Sequence, residues 1–216
     1  MNALSIDTAT EVLALSACRG ETWASLGIRR GLQHSPALLP LAERLLHELD
    51  VTAAELECVV CSLGPGSFTG IRIGLATALG IGEARHIPVV GVSTLDAAAY
   101  MWRSYPGDVV PVIDARKGKI YAALFTDGVR QGDYRDISPA ELAALLAGAR
   151  SPILVGPDAP RIAEMLGTDS PPQSDSFDPR CLLRLGIEML ERDGPPTTAL
   201  RPLYLRKSEA EIASGR

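Results

Sequence analysis

The sequence predicts an α/β protein of two lobes, each opening on the same run of strands, and three observations predict it. Residues 110–124 repeat the pattern of residues 4–15: an apolar strand ending in Ile-Asp, a short polar turn, then a second apolar strand. Each opening is followed by a third strand and a helix, so both halves read as one duplicated unit. Between the halves lies Ser104-Tyr105-Pro106-Gly107-Asp108, a Pro- and Gly-containing stretch that suits a boundary. The expected lobes are therefore 1–104 and 105–216, the second the smaller and more degenerate.

In chain order, residues 3–8 and 12–18 are apolar strands joined by the polar turn Asp7-Thr8-Ala9-Thr10-Glu11. Residues 23–28 add a third strand after a hairpin turn at Arg19-Gly20-Glu21. A helix follows over 35–49, where Leu38, Leu41, Ala42, Leu45 and Leu49 keep helical spacing and Ser35-Pro36 is a start signal. Pro40 would kink its first turns or move its start later. A strand at 58–62 then runs through a Gly-rich turn into a helix over 69–85, a strand at 87–92 and a helix over 94–103. The second half adds to its two opening strands a third over 129–137. Helices near 139–146, 158–166 and 179–192 follow, with a strand at 152–155. The tail from 197 has no clear period.

The turn Gly64-Pro65-Gly66-Ser67 stands between strand and helix, where the N–H groups of a helix start can face an anion. It has neither the Gly-Lys-Ser/Thr of a P-loop nor a G-x-G-x-x-G pattern, and Ser67 lacks the flanking glycines of a nucleophile elbow. Gly64 and Gly66 read first as turn residues, with Ser67 or Thr69 as N-cap. In the helix that follows, Gly70, Gly74, Ala78 and Gly82 recur every four residues and share one face. An interior glycine costs about 1 kcal/mol relative to alanine, so something needs the bare backbone. That need is close approach, either of a neighbour in the same lobe or of a helix from a partner chain.

Composition narrows the function classes. The chain has 216 residues, 46% hydrophobic and 22% charged, an ordinary globular balance. Its net charge of −5 argues against a stand-alone nucleic-acid binder. Short basic groups at Arg29-Arg30, at Arg116-Lys117 with Lys119, and at Arg201 with Arg206-Lys207 read as solvated surface, or as phosphate contacts within a larger assembly. Cys58 and Cys61 have CxxC spacing, but in a strand residues three apart point to opposite faces, so buried thiols are expected rather than zinc ligands. No apolar run reaches membrane-spanning length and the N-terminus lacks signal-peptide features, so a cytoplasmic protein is expected.

Asp7 and Asp114 end the first strand of each half. Two such carboxylates facing one cleft can hold a metal–nucleotide, with turn N–H groups on the phosphates, or can simply close turns. The arrangement resembles the actin-like/Hsp70-like (ASKHA) superfamily, which includes sugar kinases and holds phosphate in a Gly/Thr-rich turn after the first Asp. Here Ala9 adds a Cβ to that turn, and the second turn, Asp114-Ala115-Arg116-Lys117-Gly118, is bulky. Gly156-Pro157-Asp158-Ala159 is the nearest match to an adenosine-binding glycine pair.

Ile6-Asp7-Thr8-Ala9-Thr10, the run Ser62-Leu63-Gly64-Pro65-Gly66-Ser67-Phe68-Thr69-Gly70-Ile71-Arg72, and Ile113-Asp114-Ala115-Arg116 together resemble the TsaB (YeaZ) family. The resemblance runs through both halves in order. It implies a two-lobed actin-like fold and a non-catalytic paralogue of the transferase TsaD. The family's pathway makes threonylcarbamoyladenosine at position 37 of tRNAs reading codons that start with A. It further implies a heterodimer with TsaD, a ternary complex with the ATPase TsaE, indirect or weak tRNA contact and no cofactor, with a homodimer open for the chain alone. TsaD-like proteins carry a metal-binding His-x-x-x-His where Thr94 and Ala98 stand here, and neither is a competent transition-metal ligand. No metal site and no catalytic residue are therefore expected. The implied partner interface is a bundle of the first two helices, with Leu38, Leu41, Leu45, Gly70, Gly74, Ala78 and Gly82. A vestigial nucleotide cleft would comprise Asp7, Thr8, Gly64, Gly66, Asp114 and Arg116. The alternatives are a nucleotide-dependent kinase or ATPase of the same superfamily, or a peptidase, for which no nucleophile–base or metal set is in view.

Overall fold

The computed structural model describes residues 1–31, 33–168 and 177–206. The first sheet has the order β3-β2-β1-β4-β5, from β1 (Asn2–Asp7), β2 (Val12–Arg19), β3 (Thr22–Arg29), β4 (Cys58–Ser62) and β5 (Val89–Val92). β1 and β2 pair antiparallel with Ile6 opposite Leu15, while β4 lies parallel to β1 with Ile6 opposite Cys61. Helices α1 (Ser35–His47) and α2 (Phe68–Arg85) follow β3 and β4, and α3 (Thr94–Tyr100) follows β5. Pro40 is accommodated inside α1, on its exposed side, without delaying the start at Ser35. Buried His34 ties that start down, its Nε2–H donating to Thr10 O at 2.8 Å.

The second lobe repeats the opening meander as expected. β6 (Asp108–Arg116) and β7 (Lys119–Ala122) pair antiparallel, and β11 (Ile153–Val155) lies parallel on β6 as β4 does on β1. The single strand expected over 129–137 is divided. β8 (Phe125–Thr126) and β9 (Val129–Arg130) form a hairpin, and β10 (Arg135–Ile137) pairs with β7. Gly132, at φ +76°, turns the chain between the pieces and interrupts the extended backbone. Helices α4 (Pro139–Ala147) and α5 (Ala159–Leu166) complete this lobe.

Helix α6 (Arg180–Asp193), which sequence order places in the second lobe, packs on the first. Leu182 and Leu183 join Val60, Val90 and Val92 in one core, opposite the core that α1 and α2 make with Val59 and Cys61. Successive β4 residues thus serve opposite faces, and Cys58 and Cys61 are separated as their spacing demands. Gly186 permits the approach, since a Cβ there would fall 2.4 Å from Val60. The first sheet is a filled sandwich because α6 returns to cover its second face.

Candidate functional site

The two homologous turns, β1–β2 and β6–β7, meet at a cavity of about 390 Å³ between the lobes. Of the six cleft residues expected from sequence, Gly66, Asp114 and Arg116 line it. Asp7, Thr8 and Gly64 lie beneath it and are buried. Asp7 Oδ1 accepts from the Ala9 N–H at 2.9 Å and from the Ser62 hydroxyl at 2.7 Å. Burial pushes the Asp7 pKa up, against these hydrogen bonds. Thr8 donates its hydroxyl to Gly70 O at 2.7 Å, and Gly64 packs under Ile71 and the Leu203 carbonyl.

The helix-start loop is engaged by the same lobe. Ser67 caps α2, accepting from the Gly70 N–H at 3.2 Å, while its own N–H donates to Ala9 O at 2.6 Å. A Cβ on Gly66 would sit 2.2 Å from that same oxygen. The Ala9 carbonyl therefore faces the loop where an incoming anion would meet N–H groups.

Across the cavity, Asp114 accepts from the Arg116 N–H at 2.8 Å and pairs with Arg161 at 2.7 Å. Asp158, seen in sequence only as part of a weak Gly-Pro-Asp match, is central here. It is buried, which raises its pKa, and its Oδ2 accepts the Asp114 N–H at 3.0 Å. Glu11, Tyr121 and Arg206 also line the cavity. Nothing in local spacing marks them, because their partners are distant in sequence: Glu11 meets Arg116, and Arg206 meets Asp136.

The expected helical interface needs correction. Leu38 and Leu45 are 2% and 5% exposed and belong to the first-lobe core, with Leu41 partly buried against it. Gly70, Gly74, Ala78 and Gly82 are all buried inside their own lobe. Added Cβ atoms would fall 2.0 Å from Thr8 O at Gly70, 2.4 Å from Thr8 Oγ1 at Gly74 and 2.3 Å from Val89 at Gly82. The stripe seats α2 on the β1–β2 turn and on β5. The outward faces instead carry Leu39, 52% exposed, on α1 and Leu79, 42% exposed, on α2. Ala76 and Gly80 are exposed on α2 as well, and a Cβ on Gly80 would meet nothing within 4 Å among the described residues.

Thr94 and Ala98 are both buried on α3, and among the described residues no group of three His, Cys, Asp or Glu side chains is placed to hold a metal ion. No helix among them is long and apolar enough to cross a membrane.

Comparison with known proteins places the chain. A family model described as TsaD, tRNA N6-adenosine threonylcarbamoyltransferase, matches residues 31–174. The Bacillus subtilis tRNA threonylcarbamoyladenosine biosynthesis protein TsaB is 30% identical over 226 residues, covering 98% of this chain and 96% of its own length. The chain belongs to the TsaB (YeaZ) family. A Mycobacterium tuberculosis relative described as uncharacterized is 33% identical over 211 residues, 96% of this chain and 93% of its own. A Pseudomonas aeruginosa crystal structure, described as similar to peptidase YEAZ, superposes with a TM-score of 0.80 at 25% identity. It covers 95% of this chain and 99% of that one. The two proteins thus share the duplicated two-lobed α/β fold.

Proposed function

We propose that the chain is a non-catalytic subunit in tRNA threonylcarbamoyladenosine biosynthesis, docking a TsaD-type transferase through the outward faces of α1 and α2. Its relatives' names supply the pathway. The observation that carries the non-catalytic role is the Ala9 carbonyl, set against Gly66 and bonded by the Ser67 N–H where phosphate binding would need open donors. Buried Asp7, hydrogen-bonded to Ser62 and Ala9, fits a structural role better than a metal–nucleotide contact.

Gly80 supports the docking surface. It stands inside a helix at a cost of about 1 kcal/mol, and packing among the described residues gives no reason for it. With Ala76 one turn earlier and Leu79 beside it, it offers a low, apolar surface on which a partner helix can cross closely. In this reading TsaE joins the heterodimer as a third component, and tRNA is held chiefly by the partners.

The test is size-exclusion chromatography with light scattering, for this chain alone and mixed with TsaD from the same organism. A one-to-one complex that restores threonylcarbamoyl transfer is expected, lost in Gly80→Leu. Failure to form a complex, with ATP hydrolysis by the chain alone, would establish the ATPase alternative.

A further inference from the structure

The cavity between the lobes is tied on two sides by contacts of the chain with itself. On one side, Glu11 from the first lobe pairs with Arg116 of the second at 2.9 Å and with Arg29 of its own lobe at 3.4 Å. Arg29 also crosses over, donating to Pro157 O at 2.9 Å and lying 3.8 Å from Asp158. The other side is closed by the segment after α6. The Leu203 N–H donates to Leu63 O at 2.7 Å. Tyr204 stacks on Phe68 with ring centroids 4.6 Å apart, and Arg72 donates to its hydroxyl at 3.0 Å. Two residues later, Arg206 makes a two-point pair with Asp136 of the second lobe at 2.9 and 2.8 Å. Glu11, Arg116, Phe68 and Arg206 all line the same cavity.

We propose that these two ties form a brace that holds the lobes at one angle, so that the first lobe's outward helices and the whole second lobe move as one body. Arg29 and Arg116 are engaged by carboxylates of this chain, which makes the mouth a contact between lobes rather than a receptor for a ligand. Each pair is partly exposed and weak alone. Opening the cavity breaks both ties together, so loosening one raises the frequency with which the other opens. The brace belongs to the chain itself and stands whether or not the partner reading holds.

Native-state amide exchange of the full chain tests it, with Leu203 as the reporter. Among the described residues, the side-chain contacts of Glu11 run to Arg29 and Arg116, not to the segment 200–206. Glu11→Gln is nevertheless expected to speed Leu203 exchange roughly two- to fivefold, the range a partly exposed ion pair supports. Arg116→Gln, which removes the same pair from the other lobe, is expected to match it. Changes confined to residues near positions 11 and 116, with Leu203 exchange as in the parent, would overturn the brace. So would a response to Glu11→Gln that Arg116→Gln fails to reproduce.

Discussion

Gly74→Ala and Gly80→Ala add one methyl group to the same helix and are expected to move stability in opposite directions. At Gly80 nothing among the described residues lies within 4 Å of an added Cβ, so alanine is expected to gain about 1 kcal/mol of helix propensity without a new contact. At Gly74 the added carbon lands 2.4 Å from Thr8 Oγ1 and 3.6 Å from Ile6. The Thr8 hydroxyl must then leave Gly70 O, to which it donates at 2.7 Å. Overpacking of this kind costs about 1–3 kcal/mol, and the displaced hydrogen bond about 0.5–1.5 kcal/mol. After the propensity gain, Gly74→Ala is expected to lose about 1–3 kcal/mol. Urea unfolding of the isolated chain, read as a shifted midpoint at constant slope, measures both. Gly70→Ala is expected to be worse, because its methyl meets the Thr8 backbone oxygen at 2.0 Å, which no rotamer change can move. A Gly74→Ala variant as stable as the parent would refute the packing of α2 on the β1–β2 turn. It would return the small-residue stripe to partner binding.

Three further outcomes are expected. Leu79→Asp, on the exposed face of α2, leaves the unfolding midpoint within about 0.5 kcal/mol of the parent but abolishes the complex with TsaD in co-purification; recovery of the complex at full yield would move the docking surface elsewhere. Burial holds Asp7 protonated to higher pH than in the unfolded chain, so its contribution to stability falls as pH rises from the ordinary value of 3.8 towards the raised one, because the unfolded chain ionises first. Asp7→Asn keeps an acceptor for Ser62 and Ala9 and is expected to remove that slope with no loss of stability at neutral pH; destabilisation at pH 7 would show that the ionised carboxylate is needed. Finally, Cys58, Cys61 and Cys181 are pushed up to about 12 by burial, and Cys18 is buried and raised as well. A thiol reagent at pH 8 is expected to leave all four untouched until the chain is denatured, and labelling of the native fold would contradict the burial.

Much of the architecture was legible because it rests on local signals. The apolar run at 58–62, followed by the Gly-rich turn, is β4 with no change of boundary, and Ser67, one of two candidate caps, is the one that α2 uses. The duplicated meander was visible because apolar strands, polar turns and the Ile-Asp ends recur in both halves. The break in the strand expected over 129–137 falls at Gly132-Asp133, a turn signal that the expectation of one continuous strand passed over.

The site was only half legible. Asp114 and Arg116 line the cavity, whereas Asp7 lies buried beneath it with its carboxylate held by the Ala9 N–H and the Ser62 hydroxyl, a partner 55 residues away that no local pattern reveals. The periodicity of Gly70, Gly74, Ala78 and Gly82 established that they share a face and that something approaches it closely. A helical period has no means of saying what lies opposite, since that depends on residues sixty positions away in the β1–β2 turn. The sequence therefore determined most of the elements, their duplication and the family, all of which are written in local pattern. Only the tertiary structure decided which face of α2 is inside, that α6 closes the first lobe, and that Glu11 and Arg116 meet across the cavity. Each of these is a contact between distant segments, and its energy exists only once the chain has folded.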